Sequence, residues 1–427
     1  MLKKYTLVLI GIALIVAGCD LLGSKGDSIT DEIFEQGRQD PNVIVDEIGY
    51  AALVPFWDDF DQPTDIYVGY DELVYVTDAE GVHVLDRAGR IYDTIPLRGA
   101  ISVTQDRLLN VYVAARYDTV ITAVDPDSTW DLPAVYKFKN LNTSDPVETV
   151  DILKHPFRRF DSSRSNTTLE RFRLNRNSSN NDELVEITGV AVLNNNDIYI
   201  TRRGPSNSST TPFPDNTVLI FDQELDSNGD ATGRMRNVGR VNLRPTEPSN
   251  FFSGIDISDI TSFIGPPQRD NLPEDRGFLI TQGNPERDIP FRTLWIDAIN
   301  TPDGIEYRQN ASLQTRDTTR ADSFLYDQNK FQNPTGIAFS ADARSHIFVV
   351  DAETDSLHLF QSNGIEGINP PAGSDFEKAV NVSFGGRGSG PREFNNPRGV
   401  AYFQQIVYVA DTGNNRIARY RLNIDFE

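Results

Sequence analysis

The composition of this 427-residue chain excludes several classes of function. Its formal net charge of −22 argues against nucleic-acid binding, because affinity for a phosphate backbone comes from clustered lysine and arginine. Its single cysteine, Cys19, excludes an internal disulfide, so a packed core has to supply the stability. The length allows one large domain or two to three ordinary ones.

The start of the chain has the pattern of an export signal. A basic beginning precedes an apolar run from Leu7 to Val16, and two small residues then lead to Cys19. This last stretch resembles the lipobox of bacterial lipoproteins. The resemblance implies that residues 1–18 are removed as a signal peptide and that Cys19 becomes the lipidated first residue, carrying acyl chains such as palmitate. The alternative is an ordinary signal peptide, or an N-terminal helix that stays in place.

The segment after the signal is polar and carries no sustained apolar period. We therefore expect residues 19–42 to comprise the lipidated cysteine and a flexible tether, followed by a domain at residues 43–427. No later apolar stretch approaches the length of about 20 residues that a membrane-spanning helix needs. The expected location is extracytoplasmic, in a bacterial cell envelope, with the lipid anchor in either the inner or the outer membrane.

A repeat runs through the rest of the chain. Its clearest copies are residues 331–339 and 394–402, which share the pattern Phe-x-Asn-Pro-x-Gly-Ile/Val-Ala. Each copy leads to a β-rich run that ends on an aspartate, Asp351 or Asp411, and then to a further apolar strand. Four more diverged copies keep this order, which makes six units. Because a small antiparallel sheet cannot bury both of its faces alone, the repeat predicts radial stacking into a β-propeller.

The last copy carries the strongest family resemblance. Its strings FNNPRGVA, VYVAD and TGNNRI resemble the NHL repeat. The resemblance covers roughly residues 43–427 and implies an all-β fold, a six-bladed NHL-like β-propeller. In such propellers strands from both chain ends often complete one blade, which makes Val43–Ile48 the candidate closing strand. Glycines before the first strands, such as Gly336, suit a crowded backbone near the axis.

The same resemblance bears on catalysis. NHL-like propellers and their relatives include lactonase-type hydrolases and peptide-amidating lyases, which hold a metal in the central channel through the variable residue of the first-strand motif. The corresponding positions at the mouth of the channel are Thr64, Thr188, Ser253, Thr335 and Arg398. None is a strong metal ligand, and the charge of Arg398 disfavours a cation. The sequence therefore predicts no catalytic residue, no metal ligand and no cofactor, although calcium and zinc are left open.

An arginine-rich insertion at residues 154–183 is a candidate binding loop. Its arginines are Arg158, Arg159, Arg164, Arg171, Arg173 and Arg176. Such a loop suits an anionic partner, whereas a solvated insertion balanced by nearby carboxylates is the alternative.

Three functions are compatible with these patterns. The leading hypothesis is a lipid-anchored propeller that binds or scaffolds a protein or glycan of the cell envelope. The second is an envelope hydrolase or lyase of the lactonase or amidating-lyase type with a diverged metal site. The third is a purely structural spacer.

Overall fold

Short runs of β-branched and aromatic residues, separated by turns rich in Gly, Asn and Asp, form nearly all of the regular structure. The structure is a computed structural model that describes residues 48–120, 129–141, 145–157, 174–210, 213–266 and 275–424. The signal segment, Cys19 and the tether lie outside these residues. Among the residues described, no helix has the length and apolarity that crossing a membrane requires.

The described residues contain 24 strands in six four-stranded antiparallel sheets. The strands of the first half are β1 (Gly49–Ala52), β2 (Asp65–Val68), β3 (Val74–Thr77), β4 (Gly81–Leu85), β5 (Ile91–Pro96), β6 (Ser102–Gln105), β7 (Val111–Val120), β8 (Thr129–Lys139), β9 (Glu148–Lys154), β10 (Glu186–Val192), β11 (Ile198–Arg203), β12 (Thr217–Leu225) and β13 (Ala231–Val241). Those of the second half are β14 (Ile257–Ser262), β15 (Phe278–Gln282), β16 (Thr293–Thr301), β17 (Gly304–Gln309), β18 (Pro334–Phe339), β19 (Ile347–Asp351), β20 (Ser356–Phe360), β21 (Phe384–Gly385), β22 (Pro397–Phe403), β23 (Ile406–Asp411) and β24 (Arg416–Asn423). Short 3-10 helices lie at Asp182–Leu184, Ala311–Gln314 and Thr412–Asn414.

Each sheet is one blade of the propeller. Blades 1 to 5 consist of consecutive strands, namely β2–β5, β6–β9, β10–β13, β14–β17 and β18–β21, and blade 6 consists of β22–β24 together with β1. The first strand of each blade contacts the first strand of the next, and β22 contacts β2, so the six first strands close a circle around the axis.

A strand from the N-terminal side completes blade 6. β1 pairs antiparallel with β24, so that Gly49 lies opposite Asn423 and Ala52 opposite Tyr420. The closing strand is thus Gly49–Ala52 and not the sequence-based candidate Val43–Ile48, of which only Ile48 is described. The buried ring of Tyr50 selects this register, because its centroid lies 5.1 Å from that of Phe384 and 6.1 Å from that of Tyr420.

The hydrophobic core lies between the blades. Six clusters of buried side chains each join two neighbouring blades around the ring. Between blades 5 and 6, for example, the fully buried ring of Phe348 stacks on Tyr402 with centroids 5.1 Å apart. Burial of one such side chain contributes about 1.5–3 kcal/mol. A blade therefore depends on its two neighbours for its stability.

Candidate functional site: the mouth of the central channel

The central channel opens into a polar cavity of about 450 Å³, which we call the channel mouth. Residues at or near the first strands of all six blades contribute to its wall. The lining residues are Thr64, Asp65, Ile101, Glu186, Thr188, Arg203, Asp256, Ser258, Asp259, Asn284, Pro285, Asn333, Thr335 and Arg398. A smaller space of about 70 Å³ lies further along the channel, and Asp65 and Asp259 border both spaces.

The structure brings four of the five sequence-predicted positions together at the channel mouth, namely Thr64, Thr188, Thr335 and Arg398. Ser253 does not line the cavity, which corrects the sequence analysis. It is buried, and its hydroxyl exchanges hydrogen bonds with the side chain of Gln282. Ser258 takes the corresponding place, because a β-bulge in β14 falls at this residue as it does at Thr188, Thr335 and Arg398 in their own strands.

Three hydroxyls at the channel mouth link neighbouring blades. Each donates to the carbonyl that precedes the equivalent position in the next blade. The pairs are Thr64 with Ala100 at 3.2 Å, Ser258 with Pro334 at 2.6 Å and Thr335 with Pro397 at 2.8 Å. Because their donors are used in this way, these side chains hold the wall of the cavity in place.

Arg398 departs from this pattern. The equivalent bond from blade 6 to blade 1 would end on the carbonyl of Pro63, and the hydroxyl of Thr412 makes that bond at 2.7 Å. The guanidinium of Arg398 forms no hydrogen bond or ion pair with any residue that the structure describes, and it is exposed to the cavity. Burial within the channel and the charge of Arg203 lower the pKa of Arg398, while Glu186 opposes this effect. An incompletely balanced positive charge therefore lies at the channel mouth.

The other charged groups at the rim of the cavity are paired. Nε of Arg203 lies 2.6 Å from Oε2 of Glu186. The carboxylate of Asp256 lies 2.7 Å from Nε of Arg287 and accepts from Nδ2 of Asn284 at 2.8 Å. These pairs leave Arg398 as the main source of unbalanced charge at the rim.

Two aspartates form the floor of the channel mouth, of which Asp259 is buried and Asp65 is partly buried. Asp65 belongs to blade 1 and Asp259 to blade 4, so they lie on opposite sides of a six-membered ring. Each accepts an N–H from the first strand of the next blade, Asp65 from Val103 at 2.9 Å and Asp259 from Ile337 at 2.9 Å. Burial raises the pKa of Asp65 to about 6. Burial and the charge of Asp65 raise the pKa of Asp259 well above its ordinary range.

We expect Asp65→Ser to flatten the pH dependence of stability. Ser102 lies at the same position of blade 2 and accepts the N–H of Val190 at 3.3 Å, so serine keeps an acceptor for the next blade. The folded wild type holds the Asp65 proton more tightly than an unfolded chain, in which the pKa is near 3.8. Its stability should therefore fall as the pH rises from about 4 to about 6, and stay lower above that. Melting temperatures across this range measure the effect, and parallel curves for the two proteins would contradict it.

The residues at the channel mouth do not fit the metal that the family resemblance implies. Within the described part of the chain, no group of three or more His, Cys, Asp or Glu side chains is arranged to hold a metal ion. Both oxygens of Asp65 and of Asp259 already accept backbone N–H groups. The positions from which ligands would come carry engaged hydroxyls, Ile101 and the cation Arg398. The side chains at the channel mouth are therefore better suited to a ligand with polar groups than to a metal ion.

Most of the arginine-rich insertion lies outside the described residues, including Arg158, Arg159, Arg164, Arg171 and Arg173. Arg176 is described. Its Nε lies 2.7 Å from Oε2 of Glu183, and its guanidinium lies 4.1 Å from the ring centroid of Trp130. Arg176 is therefore engaged with its own protein at the edge of blade 2.

Comparisons with known proteins give one family match and several similar solved structures. Residues 394–420 match the NHL repeat. No curated protein sequence matches the chain significantly.

Three similar solved structures have low sequence identity. An auxiliary nutrient binding protein from Bacteroides thetaiotaomicron is 11% identical with a TM-score of 0.47, over 85% of this chain and 70% of that chain. A virginiamycin B lyase from Staphylococcus aureus is 11% identical with a TM-score of 0.40, over 88% of this chain and 100% of that chain. A gluconolactonase from Xanthomonas campestris is 10% identical with a TM-score of 0.43, over 86% of this chain and 88% of that chain.

The family match falls on β22, β23 and most of β24, the blade whose sequence pattern is clearest. The six four-stranded sheets confirm the fold class predicted from the repeat. The chain is a six-bladed β-propeller with an NHL repeat in its sixth blade.

Proposed function

We propose that this protein is a lipid-anchored, extracytoplasmic binding module of the bacterial cell envelope, which takes up a glycan at the mouth of its central channel. The observation that carries the proposal is a polar cavity of about 450 Å³, walled by all six blades, in which Arg398 has no partner among the described residues. Small-molecule sites commonly have volumes of about 300–1,000 Å³. The channel mouth thus has the size and the polarity of a site for a short saccharide.

The wall of the cavity is already rigid, which favours binding. The inter-blade hydrogen bonds of Thr64, Ser258 and Thr335 fix the backbone on which the remaining polar groups stand. Those groups include the carboxylate of Glu186 and the carboxamide of Asn333, which are partly exposed. They can exchange hydrogen bonds with sugar hydroxyls without a costly rearrangement of the protein.

The proposed location rests on the N-terminal sequence. Residues 1–18 have the character of a signal, and Cys19 stands where a lipoprotein carries its acyl chains. Two or more acyl chains anchor a protein stably. The polar segment 20–42 would act as the tether between this anchor and the propeller. The net charge of −22 would keep the domain in solution beside the membrane.

One experiment tests the anchor and the site separately. Membranes from cells that express the full chain are incubated with a fluorescent glycan library, and retained glycan is measured. We expect Ile101→Trp to fill the channel mouth and to weaken retention at least about tenfold, because Ile101 lines the cavity without contributing a side-chain hydrogen bond. Ile299→Trp is the matched control, since Ile299 is 40% exposed on β16. Cys19→Ser should abolish the incorporation of labelled fatty acid, while the detergent-extracted variant still binds the glycan.

Three outcomes would contradict these proposals. Equal retention by the wild type and by Ile101→Trp would exclude the channel mouth as the ligand site. A full chain that incorporates no labelled fatty acid would exclude the lipid anchor. Release of a hydrolysed or eliminated product would favour the alternative, an envelope hydrolase or lyase of the lactonase or amidating-lyase type.

A further inference from the structure

We propose that the channel mouth selects acidic sugars, with the carboxylate of the ligand held by Arg398 in a bidentate ion pair. The inference rests on the proposed function and names the class of ligand that the same site would take.

Arg398 does not form the hydrogen bond to the next blade that the equivalent residues of blades 1, 4 and 5 form. In blades 1, 4 and 5 the hydroxyl at this position is bound to the next blade, as with Thr335 and Pro397 at 2.8 Å. In blade 6 the hydroxyl of Thr412 binds the carbonyl of Pro63 instead. The guanidinium can therefore extend into the cavity. Its planar fork of N–H donors matches the geometry of a carboxylate better than an ammonium group does.

The charges near Arg398 favour an anion at this point. Glu186 is occupied by Arg203 at 2.6 Å, and Asp256 by Arg287 at 2.7 Å. Arg203 destabilises the cationic form of Arg398, so an anion bound between them would relieve this repulsion.

The overall charge makes a local cationic site necessary for an acidic ligand. The protein carries a net charge of −22, which repels anions at long range. Because salt screens charges beyond about 8 Å at physiological ionic strength, a single unbalanced arginine can still decide the affinity at short range.

The remaining groups of the cavity suit a polyhydroxylated ligand. Asn333 provides a partly exposed carboxamide, and Glu186 provides a partly exposed carboxylate. Carboxamides both donate and accept hydrogen bonds, as sugar hydroxyls do. A ligand that presents one carboxylate among several hydroxyls would therefore use the whole rim.

The test compares probes that differ in whether their carboxyl groups are charged. The purified full chain in detergent is titrated with digalacturonic acid, with its dimethyl ester and with inorganic phosphate. We expect the acid to bind at least about tenfold more tightly than the ester, since hydrogen bonds to a charged group are stronger than those between neutral groups. Arg398→Gln should remove this difference, and Arg398→Lys should keep part of it. Arg421→Gln removes the same charge from an exposed position on β24 and should change the affinity by less than about twofold.

The outcomes separate this inference from the proposed function. If Arg398→Gln binds digalacturonic acid as well as the wild type does, or if acid and ester bind equally, the inference is overturned. The site itself still stands in that case, provided that Ile101→Trp abolishes glycan binding. Phosphate binding that depends on Arg398, without binding of the acid, would exclude acidic sugars as the class. Failure of the wild type to bind any of the three probes would also overturn it.

Discussion

Gly336→Ala is expected to lower the free energy of unfolding by about 3 kcal/mol and to weaken ligand binding at the channel mouth. A Cβ atom at Gly336 would overlap the carbonyl oxygen of Arg398 in the next blade and would lie 3.0 Å from Cγ2 of Val350. The first obstacle is backbone and cannot rotate away, so blades 5 and 6 have to move apart. Because the obstructing carbonyl belongs to Arg398 itself, the same movement displaces the guanidinium.

Thermal denaturation and glycan titration measure the two effects, with Gly239→Ala as the matched control. Gly239 lies on β13, and a Cβ there would be 3.6 Å from Cδ1 of Ile220, which is an ordinary contact. Alanine at this position reduces the freedom of the unfolded chain without strain, so stability should stay equal or rise slightly. If Gly336→Ala were as stable as the wild type, the close approach of blades 5 and 6 would not explain the glycine.

The axial glycines show how much of the fold the repeat predicts. Gly336 and Gly399 stand in the two clearest copies of the motif, and both approach the next blade too closely for a side chain. A Cβ at Gly399 would lie 2.6 Å from Cα of Asp65. A steric demand of this kind recurs in the sequence wherever the geometry recurs, which is why the repeat pattern found these positions and the six blades.

Two aspartates stand at the glycine position of other blades, and the repeat pattern does not identify them. Asp65 and Asp259 replace the glycine in blades 1 and 4, where the gap to the next blade is filled by a carboxylate that accepts its N–H. The width of that gap depends on how two whole blades pack. The sequence of a single repeat therefore does not show that these aspartates form the floor of the cavity.

Ser253 was predicted to lie at the channel mouth because its neighbours resemble the repeat motif. The run of Phe251, Phe252, Ser253 and Gly254 imitates the order of aromatic, variable residue and glycine in the motif. In the structure β14 begins later, because Ile257 lies opposite Gln282 in the pairing with β15. Strand register between distant segments thus decides which serine reaches the axis. The same holds for Gly49–Ala52, whose place is set by pairing with β24.

Blade 5 contains a buried ionic cluster that the sequence did not reveal. Its outer strand β21 has two residues, and Glu366 anchors the long segment that precedes this strand. The carboxylate lies 2.9 Å from Nδ1 of His358 and 2.7 Å from Nζ of Lys330, and it accepts from the hydroxyl of Ser383 at 2.7 Å. Ser356 lies 2.9 Å from Nε2 of His358, which completes an order known from serine hydrolases. Lys330 and Ser383 also contact Glu366, whose side chain is 1% exposed, so the cluster ties β20 to the segment that precedes β21.

Glu366→Ala should therefore destabilise the protein by about 3–5 kcal/mol at neutral pH, because it leaves the ammonium of Lys330 without its partner in a largely buried site. The double variant Lys330→Met/Glu366→Met removes both charges and should recover more than half of this loss. Glu148→Ala is the control for an exposed pair, since Glu148 and Lys139 are 56% and 44% exposed, and should cost less than about 1 kcal/mol. Denaturant unfolding of the four proteins measures these differences, and a double variant as unstable as Glu366→Ala would contradict the explanation.

The cluster around Glu366 also predicts that the stability of the protein depends on pH in the acidic range. Burial alone would raise the pKa of Glu366, but the hydrogen bonds from His358 and Lys330 outweigh it and lower the pKa well below the ordinary value of 4.5. A carboxyl group with a lowered pKa stabilises the folded state fully above the pKa that it has in the unfolded chain. This contribution is lost as the pH falls below about 4.5 toward the lowered pKa. The stability difference between the wild type and Glu366→Ala should therefore be largest at neutral pH and shrink in acid, and a constant difference would show that Glu366 acts through packing rather than through its charge.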